Sequence, residues 1–183
     1  MIEKTKLKLE EARFFYRRLM ECREKPLSVE SNAFQFYLSA FMQAARTVPW
    51  RLKKEEKEKY LAWLLTWERQ VTAEETALLK FTNDRRIDEV HRDGIETIVE
   101  WQDIDIYDLL KSSTVHSKIF DVSNRAYDSA MPPGSRPSRI SVTFPAFYFD
   151  REGVKEDVIE TCKKYLDYLD RLVQEFMRVH CGH

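Results

Sequence analysis

The chain has 183 residues, the size of one domain, and 43% of them are hydrophobic, which is enough for a packed core. Lys and Arg number 30 against 31 Asp and Glu, so the formal net charge of -1 does not point to a nucleic-acid or membrane binder. Only 4 Gly and 6 Pro disfavour a turn-rich β-sandwich and favour helices.

Cysteine usage and apolar runs bear on the compartment of the protein. Cys22, Cys162 and Cys181 lack the spacing of metal ligands, which indicates reduced thiols. The first residues, MIEKTKLKLEEA, are amphipathic, and no apolar run approaches the ~20 residues that span a bilayer. We therefore expect a cytoplasmic protein without a membrane span. Because the sequence has neither a glycine-rich phosphate loop nor a convincing metal-ligand cluster, we expect no cofactor and no metal.

Two helices are predicted before residue 50. Apolar residues recur with three- and four-residue spacing over residues 4–24, and Pro26 is expected to end that helix. Residues 31–48 carry an apolar stripe that is too broad for a surface helix, so we expect this second helix at the centre of the core. Pro49 is expected to end it, because proline lacks the amide hydrogen that a helix interior needs.

Two more helices are predicted before the first glycine. Residues 53–70 begin with a charged stretch and end with apolar and aromatic residues, which predicts a third helix. Thr72 and Glu75 have the spacing of a capping box, which predicts the start of a fourth helix that ends near Gly94. Trp50, between the second and third helices, is interpreted as a core anchor.

After residue 95 the pattern changes from helical to alternating. Residues 96–106 alternate apolar and polar side chains and residues 140–150 are rich in aromatic and β-branched side chains, so both predict strands. Pro145 is expected to break the second strand or to place it at an edge. The aspartates within 103–108 are interpreted as a solvent face rather than a cation site. Residues 121–139 are typical of a loop.

The end of the chain predicts the clearest helix. Apolar residues from Val158 to Val179 follow a heptad pattern, which predicts a long closing helix over 153–180, packed on other helices or on a second subunit. The whole chain, 1–183, is therefore predicted to be a single, mainly α domain. We expect a bundle of four to five helices with a small β-hairpin-like excursion between residues 96 and 150.

One segment of the fourth helix carries residues suited to phosphate chemistry. Arg85 precedes His91 by six positions and Arg86 precedes it by five, near the predicted helix C-terminus. Neither spacing stacks the two side chains on an ideal helix, but a phosphate can lie between them, and a local distortion of the helix would help. The helix dipole favours the charged form of His91. The alternative is that these side chains only cap the helix end.

Metal-free RNA cleavage is the chemistry that an arginine and a histidine suit. The 2′-hydroxyl attacks the adjacent phosphorus, and a histidine takes the hydroxyl proton or gives one to the leaving oxygen. An arginine offers a planar fork of donors to the phosphate as its negative charge grows.

The helix FQFYLSAFMQAAR (34–46), followed by the helix with the Arg/His segment, resembles bacterial members of the HEPN superfamily. The stretch 148–173 also looks like the tail of such proteins, whereas 96–140 carries no resemblance. The resemblance implies a helical domain found in metal-independent endoribonucleases of toxin–antitoxin, abortive-infection and CRISPR systems, which usually work as dimers over one RNA cleft. It also implies that the motif arginine is Arg85 or Arg86 and the motif histidine is His91.

Other polar residues are interpreted as substrate contacts of this site. Asn83 and Asp84, just upstream, can supply the polar neighbour that often accompanies the arginine of the family. Arg46 can face the site from the second helix or form a salt bridge with a neighbouring helix. Arg136 and Arg139, in or beside the predicted loop, can bind an RNA backbone or remain solvated.

Three functions remain open from the sequence. The leading hypothesis is a HEPN-like protein that acts on RNA as a homodimer, of the toxin–antitoxin or phage-defence type, with an antitoxin or defence protein as a further partner. The alternative is a catalytically inactive member of the same fold that binds protein or nucleic acid. The third is an unrelated helical bundle that serves as a scaffold.

Overall fold

The computed structural model describes residues 2–23, 32–91, 95, 97–105, 141–151 and 153–180, and the predicted loop at 121–139 lies outside them. The described part is mainly α with a small antiparallel sheet, as predicted. Its five helices and three strands are α1 (Glu3–Arg23), α2 (Ala33–Glu55), α3 (Lys57–Glu68), α4 (Ala73–His91), β1 (Ile98–Asp105), β2 (Ser141–Arg151), β3 (Val154–Asp157) and α5 (Val158–His180).

Contacts at the two ends of α1 orient it against α2 and α5. In its first turn, Thr5 donates hydrogen bonds to the carboxylate of Glu55, at the end of α2. In its last turn, Arg23 forms an ion pair of 3.4 Å with Asp157, immediately before α5. Helix α1 therefore runs antiparallel to both α2 and α5.

The closing helix α5 buries the apolar face that its heptad pattern predicts. Asp157 begins it, because its carboxylate accepts a hydrogen bond of 2.9 Å from the backbone amide of Glu160. Val179 is exposed, so the buried face stops one turn before the end. The buried residues of the pattern are Val158, Cys162, Tyr165, Leu169, Leu172 and Phe176.

The sheet has the order β1-β2-β3 and belongs to the same hydrophobic core as the helices. Phe147 of β2 stacks on Phe34 of α2, with ring centroids 3.5 Å apart and planes 5° apart. Phe149, two residues further along the same face, meets Phe81 of α4 edge-on at 5.3 Å. The β excursion is therefore joined to the bundle through the alternate residues of β2.

The predicted start of the closing helix at residue 153 is wrong, because strand β3 precedes the helix. Residues 154–157 pair antiparallel with residues 148–151 of β2. Gly153 forms the turn between the strands with φ +83°, and its amide donates a hydrogen bond of 2.9 Å to the carboxylate of Asp150. The helix begins only at Val158, where the apolar heptad pattern also begins.

The predicted end of the second helix at Pro49 is wrong, since α2 continues to Glu55. Residues 53–55, expected at the start of the third helix, therefore belong to α2. Proline in a helix interior costs about 3 kcal/mol. The extra turn compensates for this cost because it buries Leu52 completely and brings Glu55 to the first turn of α1. Trp50, expected in the core, lies exposed on this same turn.

Pro145 does not break β2, but it does occupy an edge. It pairs with Trp101 of β1 on one side. On the other side, β3 reaches only residues 148–151, so within the described residues nothing pairs with β2 at Pro145. The proline therefore leaves no ladder hydrogen bond to β3 unmade, and the expectation of an edge position is confirmed.

Candidate functional site

The start of α4 is held by the capping box that its sequence predicts. The amide of Glu75 donates to the hydroxyl of Thr72 at 3.2 Å, and the amide of Thr72 donates to the Glu75 carboxylate at 2.9 Å. Arg171 of α5 also pairs with Glu75. Burial opposes ionisation of the Glu75 carboxyl, but these donors outweigh it, so the pKa of this group lies below its usual value. This end of α4 is therefore fixed against α5.

Arg85 lies where α4 meets the sheet, and its side chain takes part in that contact. Its Nη2 atom donates a hydrogen bond to the backbone carbonyl of Asp150 in β2. Its guanidinium carbon lies 5.2 Å from the ring centroid of Phe81 and 6.0 Å from that of Phe149. A guanidinium over aromatic rings is attracted by their negative faces. Arg85 therefore helps to join the two elements.

A second guanidinium lies beside the same aromatic ring. The guanidinium carbon of Arg151 is 5.3 Å from the ring centroid of Phe81, and Arg151 forms an ion pair of 3.1 Å with Glu156. Neither Arg151 nor the carbonyl of Asp150 was predicted from the sequence as part of the site. The alternation of β2 places Phe147, Phe149 and Arg151 on one face, so this pattern could have identified Arg151.

The rest of the predicted Arg–His pair is described only by its backbone. The side chains of Arg86 and His91 lie outside the described part of the structure. The backbone is α-helical through His91. An ideal helix separates positions 85 and 91 by about 120° around its axis and by about 9 Å along it. For Arg86 and His91 the corresponding values are about 140° and 7.5 Å.

The predicted substrate contacts are not gathered around Arg85. Asn83 and Asp84 lie exposed on α4, and Arg46 lies exposed on α2. The two alternatives for Arg46, facing the site or forming a salt bridge with a neighbouring helix, stay predictions. Arg136 and Arg139 lie outside the described residues. Their expected roles stay predictions.

A groove of about 640 Å³ runs between α4, α5 and the end of the sheet. Its acidic side chains outnumber its basic ones, which disfavours a phosphate there. Its carboxylates have structural roles, such as the cap at Asp157 and the ion pair between Glu156 and Arg151. The lining acids are Glu74, Glu75, Glu156, Asp157, Glu160 and Asp167, and the bases are Arg151, Lys164 and Arg171.

A second cavity, of about 400 Å³, is lined mostly by apolar and aromatic side chains of α2, α3, α4 and α5. The indole of Trp67 donates a hydrogen bond of 3.2 Å to the hydroxyl of Tyr168 at its wall. Burial raises the pKa of the Tyr165 hydroxyl, which therefore stays protonated at neutral pH. Trp67, Tyr165 and Tyr168 therefore supply this cavity with no ionised group for acid–base catalysis.

The described residues show neither a metal site nor a membrane-spanning helix. Within these ranges, no three His, Cys, Asp or Glu side chains come together as a metal site. Over the same residues, no helix combines the length and the apolar character needed to cross a bilayer.

Comparisons with known proteins do not identify a relative. No protein-family model, no curated protein and no solved structure matches this chain. Its function is therefore inferred from its own residues.

Proposed function

We propose that this chain is a HEPN-like helical domain that acts on RNA, as a metal-independent endoribonuclease of the toxin–antitoxin or phage-defence type. The observation that most supports it is the position of Arg85, which is held between Phe81, Phe149 and the Asp150 carbonyl on a helix that continues to His91. A guanidinium held in one place loses little freedom when it binds a phosphate.

The proposed reaction is a transesterification that needs only protein side chains. The 2′-oxygen forms a bond to the adjacent phosphorus while the bond from phosphorus to the 5′-oxygen breaks, which leaves a 2′,3′-cyclic phosphate and a 5′-hydroxyl. His91 moves one of the two protons, either from the 2′-hydroxyl or to the 5′-oxygen, and solvent water exchanges the other. Arg85 or Arg86 stabilises the charge that grows on the non-bridging oxygens.

A homodimer gives these side chains a workable geometry. On one helix the arginine and the histidine diverge by about 120° to 140°, so a single copy does not aim both at one phosphate. A second copy related by a two-fold axis can bring its His91 towards Arg85 or Arg86 of the first. The active unit in this proposal is therefore the dimer.

A catalytically inactive binding module is the second candidate. It is favoured by the contacts of Arg85, whose bond to Asp150 and stacking on Phe81 already connect α4 with β2. The acidic groove beside α4 also disfavours a nucleic-acid cleft at that place. In this alternative the chain binds RNA or a protein, such as an antitoxin or a defence enzyme, without cleaving anything.

Cleavage of a labelled RNA by the purified protein in EDTA tests the proposal. We expect a 2′,3′-cyclic phosphate product and no cleavage of the all-deoxy oligonucleotide. His91→Ala should lower the rate by about 10²- to 10⁴-fold, and so should either Arg85→Ala or Arg86→Ala, whichever removes the motif arginine. Lys80→Ala, a change of an exposed cation on the same helix, is the control and should keep the parent rate. Equal degradation by parent and His91→Ala would remove His91 from the mechanism.

The dimer is tested by mixing the two inactive variants. If each site combines side chains from both copies, a mixture of His91→Ala and the inactive arginine variant should recover part of the activity. A mixture as inactive as its components, with exchange of subunits verified, would contradict the shared site. RNA binding without cleavage by the parent would establish the binding module instead. For Arg85→Lys, the cleavage rate is measured together with the thermal stability of the variant, because Arg85 also joins α4 to β2.

A further inference from the structure

The outer face of α2 carries an exposed stripe that the core does not use. Its members recur at spacings of three, four and seven, which puts them on one side of the helix. The stretch from Phe36 to Trp50 extends about 21 Å along the axis. We call this set the α2 stripe, and its exposed residues are Phe36, Gln43, Arg46, Trp50, Lys53 and Lys54.

The C-terminal half of the α2 stripe is strongly basic. The sequence RTVPWRLKK, residues 46–54, has four cations and no acid, in a chain whose net charge is -1. Within the described residues, none of these four side chains, Arg51 among them, forms an ion pair. The next acid, Glu55, is directed to the first turn of α1. Among the described residues, the positive charge of this surface is therefore not neutralised by an ion pair.

Trp50 lies in the middle of this basic surface. Its side chain is 55% exposed, although burying an indole is one of the largest apolar gains available to a fold. The guanidinium carbon of Arg51 and the ammonium nitrogen of Lys54 lie 5.3 Å and 5.2 Å from the ring centroid. These contacts hold two cations beside an accessible aromatic ring.

We propose that the α2 stripe binds single-stranded RNA, with phosphates at Arg46, Lys53 and Lys54 and one base against Trp50. This inference rests on the proposed function, because it takes RNA as the ligand and adds where the strand is held. Aromatic rings among cations are what sequence-tolerant single-strand binding requires. An anionic bilayer fits less well, since membrane-surface helices insert a broad apolar face, whereas only one indole lies among these cations.

The proposal predicts two measurable contributions to affinity. Each neutralised phosphate of a single strand contributes about 0.7 to the slope of log K against log salt, so the three cations placed at phosphates give a slope of up to about -2.1. Stacking of one base on an aromatic ring is worth ~1–3 kcal/mol, which is about a 5- to 150-fold change in Kd. Charge and stacking can therefore be separated experimentally.

Fluorescence anisotropy with a labelled 2′-O-methyl oligouridine, which has no attacking hydroxyl, measures binding without cleavage. Trp50→Ala should weaken binding about 5- to 150-fold at constant salt slope. Lys53→Ala combined with Lys54→Ala should reduce the magnitude of the slope by about 1.4. The matched controls are Trp101→Ala, a change of a 60% exposed indole on β1, and the pair Arg69→Ala and Lys80→Ala. Both controls should bind as the parent does.

The proposal that the α2 stripe binds RNA and the proposal that the protein cleaves RNA can be refuted independently. Stripe variants that bind the oligonucleotide like the parent overturn the inference, even if His91 proves essential for cleavage. Loss of binding in these variants upholds it, even if the parent cleaves nothing. Vesicles of phosphatidylglycerol and phosphatidylcholine form the second arm. Trp50-dependent binding to vesicles with no binding to the oligonucleotide would assign the stripe to an anionic membrane and overturn the RNA assignment.

Discussion

Replacing Glu55 by alanine should clearly lower the Tm of the protein, because this side chain caps a helix other than its own. The Glu55 carboxylate accepts hydrogen bonds from the amide of Lys4 at 3.0 Å, the amide of Thr5 at 2.8 Å and the hydroxyl of Thr5 at 2.6 Å. First-turn amides have no partner within their helix. Glu55, supplied by the last turn of α2, therefore does for α1 what an N-cap residue usually does.

The cost of Glu55→Ala follows from these donors. Thr5 is fully buried, and a buried donor left without a partner costs about 1–3 kcal/mol. The amide of Lys4 is exposed enough for water to replace its bond. Losing a negative charge beside a helix N-terminus adds about 0.3–1 kcal/mol. We expect a total of about 1.3–4 kcal/mol, which at ~2–4 °C per kcal/mol lowers Tm by about 3–16 °C.

Thermal and urea unfolding, followed by circular dichroism, measure this loss. Glu58→Ala, a change of an exposed acid on α3, is the matched control and should stay within about 0.5 kcal/mol of the parent. Thr5→Val removes the hydroxyl donor, and its effect should be smaller in the Glu55→Ala background. Equal stability of Glu55→Ala and Glu58→Ala would refute the capping role.

The contact between Glu55 and the first turn of α1 also predicts that the stability of the protein depends on pH. Burial disfavours the charged form of Glu55, but the hydrogen bonds from Thr5 and Lys4 outweigh it, so the pKa of this carboxyl lies below its usual value. A lowered pKa in the folded state means that the stabilisation is present above the unfolded pKa of about 4.3 and is lost as pH falls through the folded pKa. The stability difference between parent and Glu55→Ala should therefore shrink below about pH 4.3.

Two further substitutions test the fold. Pro49→Ala should raise the free energy of unfolding by about 2–2.6 kcal/mol, since it removes a helix-interior proline whose cost of ~3 kcal/mol is offset by about 0.4–1 kcal/mol through its stiffer unfolded chain. An unchanged or lower value in urea unfolding would argue against the continuous α2. Phe147→Ala should cost about 3–5 kcal/mol because it empties the ring stack on Phe34, whereas Val99→Ala, at an exposed site opposite it, should cost under ~1 kcal/mol. Similar unfolding of both variants would show that the sheet is not joined to the core through Phe147.

Local patterns predicted most of the secondary structure correctly. The periodicity of residues 4–24, the heptad pattern from Val158 and the capping box at Thr72 depend only on residues within one or two turns, and the structure confirms all three. The alternation of residues 96–106 and the aromatic and β-branched side chains of residues 140–150 likewise predicted the strands β1 and β2. Such patterns are readable because side-chain periodicity is set by the backbone geometry of each element alone.

The errors concern choices that a local pattern does not contain. Pro49 has the local character of a helix end, yet α2 continues because Leu52 and Glu55 find partners elsewhere in the fold. Residues 154–157 were counted with the closing helix, and only their pairing with β2 makes them a strand. Each outcome depends on distant residues, so propensity is overridden by tertiary contacts.

The candidate site divides in the same way. The spacing of Arg85, Arg86 and His91 is a property of the sequence, and so is the expectation of phosphate chemistry. Only the tertiary structure decides that Arg85 contacts the Asp150 carbonyl and that the neighbouring groove is acidic. Composition and periodicity by themselves determined a mainly helical domain and its elements, since these need only near neighbours along the chain. The fold decided which charges meet and which stay exposed, because that depends on residues far apart in sequence packing together.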